Sequence, residues 1–194
     1  MSFSFVGDLS VADAKLLHAL GSKSDRILEF GVGGSTQIFA QCHPDTLVSV
    51  ETDPAWIERT QANLARIDGN YTPPSFVPYD LFTGGAFDLI FVDGVPDKRL
   101  DFAMKTWPIL SFGGRMVFHD TRRFEYFREA AWVAQSFFNE IRRVEVNVGN
   151  SNLTIIEKGP VLSYENWNET EGKPAWAYGK DDIPEGERLW KMED

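Results

Sequence analysis

Short apolar segments alternate with longer segments of mixed polarity along most of the chain. Apolar runs of about 4–8 residues between turn residues predict buried strands. Apolar residues that recur every three or four positions predict helices with one buried side. Strands are predicted at 26–30, 46–50, 75–79, 87–92, 115–118, 143–148 and 152–157. Helices are predicted at 11–20, 34–41, 53–67, 100–110 and 122–139.

The order of these elements predicts an α/β fold. Strands that alternate with helices form parallel sheets through right-handed crossovers, which place helices on both faces. Gly149-Asn150 separates the last two strands and is a hairpin signal. The sequence therefore predicts a doubly wound, mostly parallel seven-stranded sheet with helices on both faces and a C-terminal antiparallel hairpin.

Proline and glycine indicate where several elements begin and end. Asp53-Pro54 combines a capping side chain with a proline at the first helical position, which predicts a helix start. Pro108 is expected to end or bend the helix at 100–110, because proline has no backbone N–H to donate. Gly113-Gly114 is expected to form a turn before the next strand.

The last predicted helix carries an aromatic stripe at helical spacing. This stripe consists of Phe124, Phe127, Ala131, Ala134 and Phe138. Apolar residues at such spacing usually form the side of a helix that packs against a core. We therefore expect the stripe to be buried and to take no part in ligand binding.

The composition changes at residue 159. Residues 159–194 are rich in proline, tryptophan and tyrosine and carry nine acidic and four basic residues. Their net charge is half of the chain's −10. We expect residues 1–158 to form one domain and residues 159–194 an acidic aromatic tail that acts as a lid, docks elsewhere or contacts a second subunit.

The net charge of the chain limits the kinds of partner that it is expected to bind. A net charge of −10 disfavours nucleic acid and anionic membranes, since both attract basic surfaces. Residues 1–10 contain no Lys or Arg, and no segment approaches the ~20 apolar residues that span a bilayer. We expect a cytoplasmic protein whose partner is a small molecule. The sequence leaves open whether the protein forms a homodimer.

A glycine-rich segment after the first strand is the strongest candidate for a ligand site. It reads Glu29-Phe-Gly-Val-Gly-Gly-Ser-Thr36, so Gly31, Gly33 and Gly34 lie between a strand and a helix. Glycine lets the backbone turn tightly and lets a ligand approach without a Cβ in the way. The helix N-terminus behind it favours negative charge on that ligand. The alternative is a plain tight turn.

An acidic residue at the end of the second strand extends this site. Glu51 lies 20 residues after Gly31, where a carboxylate can accept the ribose hydroxyls of an adenosine-containing cofactor. NAD and S-adenosylmethionine both fit this spacing. The fingerprint of dinucleotide-binding proteins has a third glycine or alanine at the position where this chain has Thr36. That fingerprint also has no acidic residue at the position where this chain has Glu29. Both differences favour S-adenosylmethionine.

Taken together, these motifs resemble those of the class I, Rossmann-like S-adenosylmethionine-dependent methyltransferases. The similar segments are 29–34, Ser49-Val-Glu51, Tyr79-Asp80, 87–94 and 113–120. The resemblance implies that the cofactor is held by Glu29, Gly31, Gly33, Gly34, Glu51, Asp80 and Asp93.

Within this family the chain is most similar to small-molecule O-methyltransferases. That similarity implies catalytic roles for Asp93, His119 and Asp120, with the two aspartates as possible Mg²⁺ ligands. His119 is then a candidate general base for an acceptor hydroxyl, and a metal would be the alternative Lewis acid. Pro96 stands where some relatives have a histidine, which is a departure from the metal-binding pattern.

The sequence thus predicts an enzyme that transfers a methyl group from S-adenosylmethionine to a small molecule, at a hydroxyl oxygen. Two other functions stay open. One is an NAD-dependent oxidoreductase, which the glycine segment and Glu51 also allow. The other is a non-catalytic protein that binds S-adenosylmethionine.

Overall fold

A computed structural model describes residues 9–160, and these form a seven-stranded sheet with the order β3-β2-β1-β4-β5-β7-β6. The predicted tail lies outside the described residues from position 161 onward. The strands are β1 Arg26–Phe30, β2 Thr46–Glu51, β3 Ser75–Pro78, β4 Phe87–Val92, β5 Leu110–Phe118, β6 Ile141–Val146 and β7 Thr154–Lys158.

Strands β1 to β5 are mutually parallel, and β7 lies antiparallel to both β5 and β6. The strand order reverses between β1 and β4, because β2 and β3 follow on one side of β1 while β4 and β5 lie on the other. The predicted fold class and the closing hairpin are therefore confirmed. This reversal opens a crevice at the carboxyl ends of β1 and β4.

Five α-helices connect the strands. They are α1 Val11–Gly21, α2 Gly34–Gln41, α3 Pro54–Leu64, α4 Pro96–Thr106 and α5 Phe124–Ser136. α1 begins with a reciprocal capping box between Ser10 and Asp13. The Asp53 side chain accepts a hydrogen bond from the Ala55 amide, so α3 begins where the sequence predicts. Within residues 9–160, no helix is both long and apolar enough to cross a membrane.

Two apolar clusters cover the two faces of the sheet. One contains Phe30, Phe102 and Trp107, with side chains from α4 and α5. The other contains Leu17 and Phe39, with side chains from α1 and α2. Because both faces are covered, the central strands are apolar on both sides, and this explains their continuous apolar runs.

The aromatic stripe predicted for α5 is wrong. Phe124 and Phe138 are 73% and 66% exposed, and Ala131 is exposed as well. The fully buried residues of α5 are Ala130 and Val133, which face the sheet. The prediction assumed that the large aromatic rings of α5 would be buried. The buried face carries a small and a β-branched side chain instead, which let the helix approach the sheet closely.

Several element boundaries also differ from the prediction, most clearly those of α4 and β5. α4 begins at Pro96 rather than at residue 100, because proline at the first helical position needs no N–H partner. It ends at Thr106, just before Pro108. Gly113 and Gly114 lie within β5 and form no separate turn, and the pairing of β5 with β4 shifts register at this point.

Candidate functional site

A cavity of about 310 Å³ lies at the carboxyl ends of the parallel strands, where the strand order reverses. Its lining combines the loop after β1 with the ends of β2, β4 and β5. The lining residues are Leu9, Gly31, Val32, Gly33, Gly34, Ser35, Glu51, Asp53, Trp56, Asp93, Gly94, Val95, His119 and Asp120. Seven of the nine predicted site residues therefore meet in one cavity; Glu29 and Asp80 lie elsewhere.

The glycine loop packs directly against the residues that follow β4. Gly31 has a φ of +90° and donates its N–H to the Val50 carbonyl over 2.9 Å. A Cβ on Gly31 would lie 2.7 Å from the Gly94 nitrogen and 2.8 Å from the Asp93 carbonyl carbon. Only glycine fits this position, so the loop and the end of β4 are in direct contact at the cavity.

Glu51 is held by backbone amides. Its Oε2 accepts a hydrogen bond from the Val32 N–H at 3.1 Å. Its Oε1 accepts hydrogen bonds from the amides of Thr52 at 2.6 Å and Asp53 at 3.0 Å. The Thr52 hydroxyl also donates to Oε1 at 3.3 Å. These contacts fix the carboxylate at the cavity wall, and Oε2, which has one donor, keeps a free acceptor position.

Glu29 supports the glycine loop from beneath and does not line the cavity. It is fully buried and accepts hydrogen bonds from Ser49 Oγ at 2.5 Å and Ser35 Oγ at 2.9 Å. These contacts join β1 to β2 and to the first turn of α2. Burial raises the pKa of Glu29 to about 7, against the lowering effect of its hydroxyl partners.

Glu29→Gln is expected to flatten the pH dependence of stability. The folded-state pKa of about 7 exceeds the ordinary value of 4.5, so the folded protein binds more protons between these values. The free energy of unfolding of the wild type should therefore fall by about 3 kcal/mol as the pH rises through this window. Chemical denaturation at several pH values measures this slope. An unchanged slope in Glu29→Gln, as expected for the exposed control Glu58→Gln, would contradict the assignment.

Asp93, His119 and Asp120 form a charged cluster on the neighbouring wall, just after the ends of β4 and β5. His119 is 2% exposed, and its Nδ1 lies 2.9 Å from Asp93 Oδ1 and 3.9 Å from Asp120 Oδ1. Its Nε2 has no hydrogen-bond partner among the described residues and lies 3.8 Å from Oδ2 of the buried Asp13. Three carboxylates from three elements thus surround one imidazole.

The charge of His119 follows from these neighbours. Burial lowers the pKa of the imidazole, but the hydrogen bond to Asp93 and the charges of Asp93, Asp120 and Asp13 together raise it above its ordinary value. The neighbouring carboxylates therefore favour protonation of His119 more than water does for a free histidine. The role of His119 as a general base stays a prediction.

Arg99 is a site residue that the sequence analysis missed. It is 2% exposed and donates from Nε to Glu129 at 2.9 Å and from Nη2 to the His119 carbonyl at 2.7 Å. Its Nη1 lies 3.4 Å from Asp93 Oδ1, and its guanidinium covers the ring of Tyr126. Because its partners come from β4, β5 and α5, no local pattern could have identified it.

The two aspartates do not fit the predicted Mg²⁺ site. Asp93 is paired with Arg99 and His119, and Asp120 is paired with Arg123 at 3.1 Å and accepts from Asn152 at 2.6 Å. The imidazole Nδ1 of His119 lies 2.9 Å from Asp93 Oδ1 and 3.9 Å from Asp120 Oδ1, so both carboxylates already have a positively charged or hydrogen-bonding neighbour. Among residues 9–160, no group of three or more His, Cys, Asp or Glu side chains could hold a metal ion.

Asp80 lies apart from the main cavity. It belongs to a single 3₁₀ turn after β3, its side chain is 85% exposed, and it forms an ion pair with Lys98 at 3.9 Å. It lines a second cavity of about 370 Å³ together with Tyr79, Phe82 and residues of α4. The structure therefore does not bring Asp80 together with Glu51 and the glycine loop.

Comparison with solved structures identifies proteins of the same architecture. A methyltransferase-like protein from Silicibacter pomeroyi is 21% identical, with 82% of this chain and 91% of that chain covered and a TM-score of 0.60. The O-methyltransferase TomG from Streptomyces achromogenes, solved with S-adenosylmethionine, is 18% identical over 78% and 82%, with a TM-score of 0.63. An O-methyltransferase from Bacillus cereus, solved with S-adenosylhomocysteine, is 15% identical over 78% and 83%, with a TM-score of 0.61.

At these identities the likeness establishes the fold alone, which this chain shares with these proteins. No protein-family model matches the sequence, and no curated protein matches it significantly.

Proposed function

Because the chain shares this fold and has a cavity at its switch point, we propose that it is an S-adenosylmethionine-dependent methyltransferase. We infer that it acts on a small molecule and transfers the methyl group to a hydroxyl oxygen. The observation that carries the proposal is the composition of the cavity walls. Gly31, Gly33 and Glu51 form one wall, and Asp93 and Asp120 form the other.

The first wall fits an adenosyl cofactor. The Glu51 carboxylate, fixed by three backbone amides, can accept a hydrogen bond from a ribose hydroxyl at Oε2. The N-terminus of α2 follows Gly33 and favours a negative group such as a carboxylate. The glycines of the loop carry no side chain, so the cofactor can approach the backbone closely.

The second wall would position the acceptor. When bound, S-adenosylmethionine supplies an electrophilic methyl group, so the protein needs mainly to orient the acceptor oxygen and exclude water. The side chain of Asp93 is 30% exposed and that of Asp120 is 13% exposed, so Asp93 is the more accessible of the two carboxylates. We assign Asp93 as the group that accepts the hydroxyl proton, held in place by Arg99 and His119.

Two measurements test this function. Calorimetric titration should show micromolar binding of S-adenosylmethionine and S-adenosylhomocysteine and none of NAD. A screen of hydroxylated small molecules should then reveal release of S-adenosylhomocysteine that is insensitive to EDTA. Binding of NAD alone would support an oxidoreductase. Binding of S-adenosylmethionine without turnover on any acceptor would support a non-catalytic binding protein.

Glu51→Gln is expected to weaken S-adenosylmethionine binding about 10-fold, since a hydrogen bond to a charged group contributes roughly 1.5–3 kcal/mol. The same titration measures this change. Glu58→Gln is the matched control, because it removes one carboxylate from the exposed side of α3, outside the cavity. Equal affinities for Glu51→Gln and Glu58→Gln would mean that Glu51 does not contact the cofactor.

A further inference from the structure

Strand β6 ends the sheet and has an open backbone edge. It pairs with β7, and within residues 9–160 no strand pairs with its other side. Val144 and Val146 are 45% and 47% exposed. Unpaired N–H and C=O groups along a partly apolar edge strand favour association with another strand.

The two faces of β6 differ in character. Val144 lies opposite Ile156, and Ile156 packs in the same cluster as Ala130 and Val133 of α5. Val144 therefore faces the α5 side of the sheet, and Val146 shares this face because side chains alternate along a strand. Arg143 and Glu145 point to the other face, opposite Glu157 and Ile155.

Among the registers centred on residues 143–145, this pattern is complementary to itself in one. When two copies of a strand pair antiparallel about a twofold axis normal to the sheet, one residue lies on the axis and meets its own copy. With Arg143 or Glu145 on the axis, like charges meet, which is destabilising. With Val144 on the axis, valine meets valine and Arg143 of each copy meets Glu145 of the other.

We propose that this chain forms a twofold dimer in which β6 pairs antiparallel with β6 of a second copy, centred on Val144. The two sheets become one continuous fourteen-stranded sheet, and the α5 helices lie on the same face of it. Arg143 already contacts Glu145 and Glu157 of its own chain, each at 3.2 Å. Its guanidinium is half exposed, so exchanging one such partner for the equivalent carboxylate of the other copy changes little free energy.

Charge reversal with sedimentation velocity tests this arrangement on the full chain. The wild type should sediment as a dimer at micromolar concentration. Arg143→Glu and Glu145→Arg should each weaken the dimer at least about 10-fold, because like charges then meet twice across the axis. The double variant Arg143→Glu/Glu145→Arg should restore dimerisation to within about 3-fold of the wild type.

Two further variants keep the test decisive. Lys23→Glu makes the same charge change as Arg143→Glu at an exposed site after α1 and should leave the dimer intact. Val144→Lys should give a folded monomer by circular dichroism, since a lysine at the centre of an edge strand blocks edge pairing. A monomeric wild type, or a double variant as weak as the single variants, would overturn the proposal.

Discussion

Gly31→Ala is expected to lower the affinity for S-adenosylmethionine by about 100-fold or more, which corresponds to ~2.7 kcal/mol. The new Cβ would lie 2.7 Å from the Gly94 nitrogen and 2.8 Å from the Asp93 carbonyl group. These are backbone atoms, which cannot rotate away as the end of a side chain can. The loop after β1 must therefore move away from the end of β4, and this change opens the wall that we assign to the cofactor. Calorimetric titration measures the loss.

A matched control separates the contact from backbone strain. Gly113 has a φ of +82°, close to the +90° of Gly31, but a Cβ at Gly113 would meet no atom within 4 Å. Gly113→Ala therefore has the same unfavourable left-handed conformation, at about 1–2 kcal/mol of stability, without the clash. It should bind the cofactor as the wild type does. If both variants are folded by circular dichroism and bind equally well, the glycine loop is not the cofactor site.

Arg99→Met is expected to lower the free energy of unfolding by roughly 3–5 kcal/mol. The guanidinium is buried and pairs with Glu129 and Asp93, so its removal leaves Glu129 without its cation and Asp93 with His119 alone. The His119 carbonyl also loses a hydrogen bond of 2.7 Å. Replacing a buried cation is costly mainly because its partners stay buried, and thermal and urea denaturation report this loss.

Two controls identify the cause of that loss. Lys105→Met removes a cation that is 66% exposed and lies 2.7 Å from Asp101, and it should cost under about 1 kcal/mol. The double variant Arg99→Met/Glu129→Gln should recover part of the stability, since one uncompensated carboxylate is then neutral. If Arg99→Met is no more destabilising than Lys105→Met, the buried ion pairs contribute little to the fold.

The glycine segment could be interpreted from sequence because its chemistry is local. A strand, a run of glycines and a helix are consecutive in the chain, and the glycines at 31–34 all belong to one turn. Glu51 could be predicted from its spacing of 20 residues after Gly31, at the end of the next strand. Asp93 and Asp120 were expected from the resemblance to O-methyltransferases, and both line the cavity.

The faces of α5 and the place of Asp80 could not be predicted in this way. Helical spacing shows which residues share a face, but the sheet decides which face is buried, and it selected Ala130 and Val133. Asp80 follows β3, an edge strand, and the 3₁₀ turn that carries it places its side chain in solvent beside Lys98.

The sequence by itself determined the alternation of strands and helices, the glycine loop and the acidic residues at the strand ends. These features depend on backbone preferences and periodicity, which act over a few residues. Only the tertiary structure decided the charged neighbours of His119, the pairing of Arg99 and the unsuitability of Asp93 and Asp120 for a metal. Charges interact through space, so carboxylates far apart in sequence, such as Asp13 and Asp93, raise the pKa of His119 once the fold brings them together.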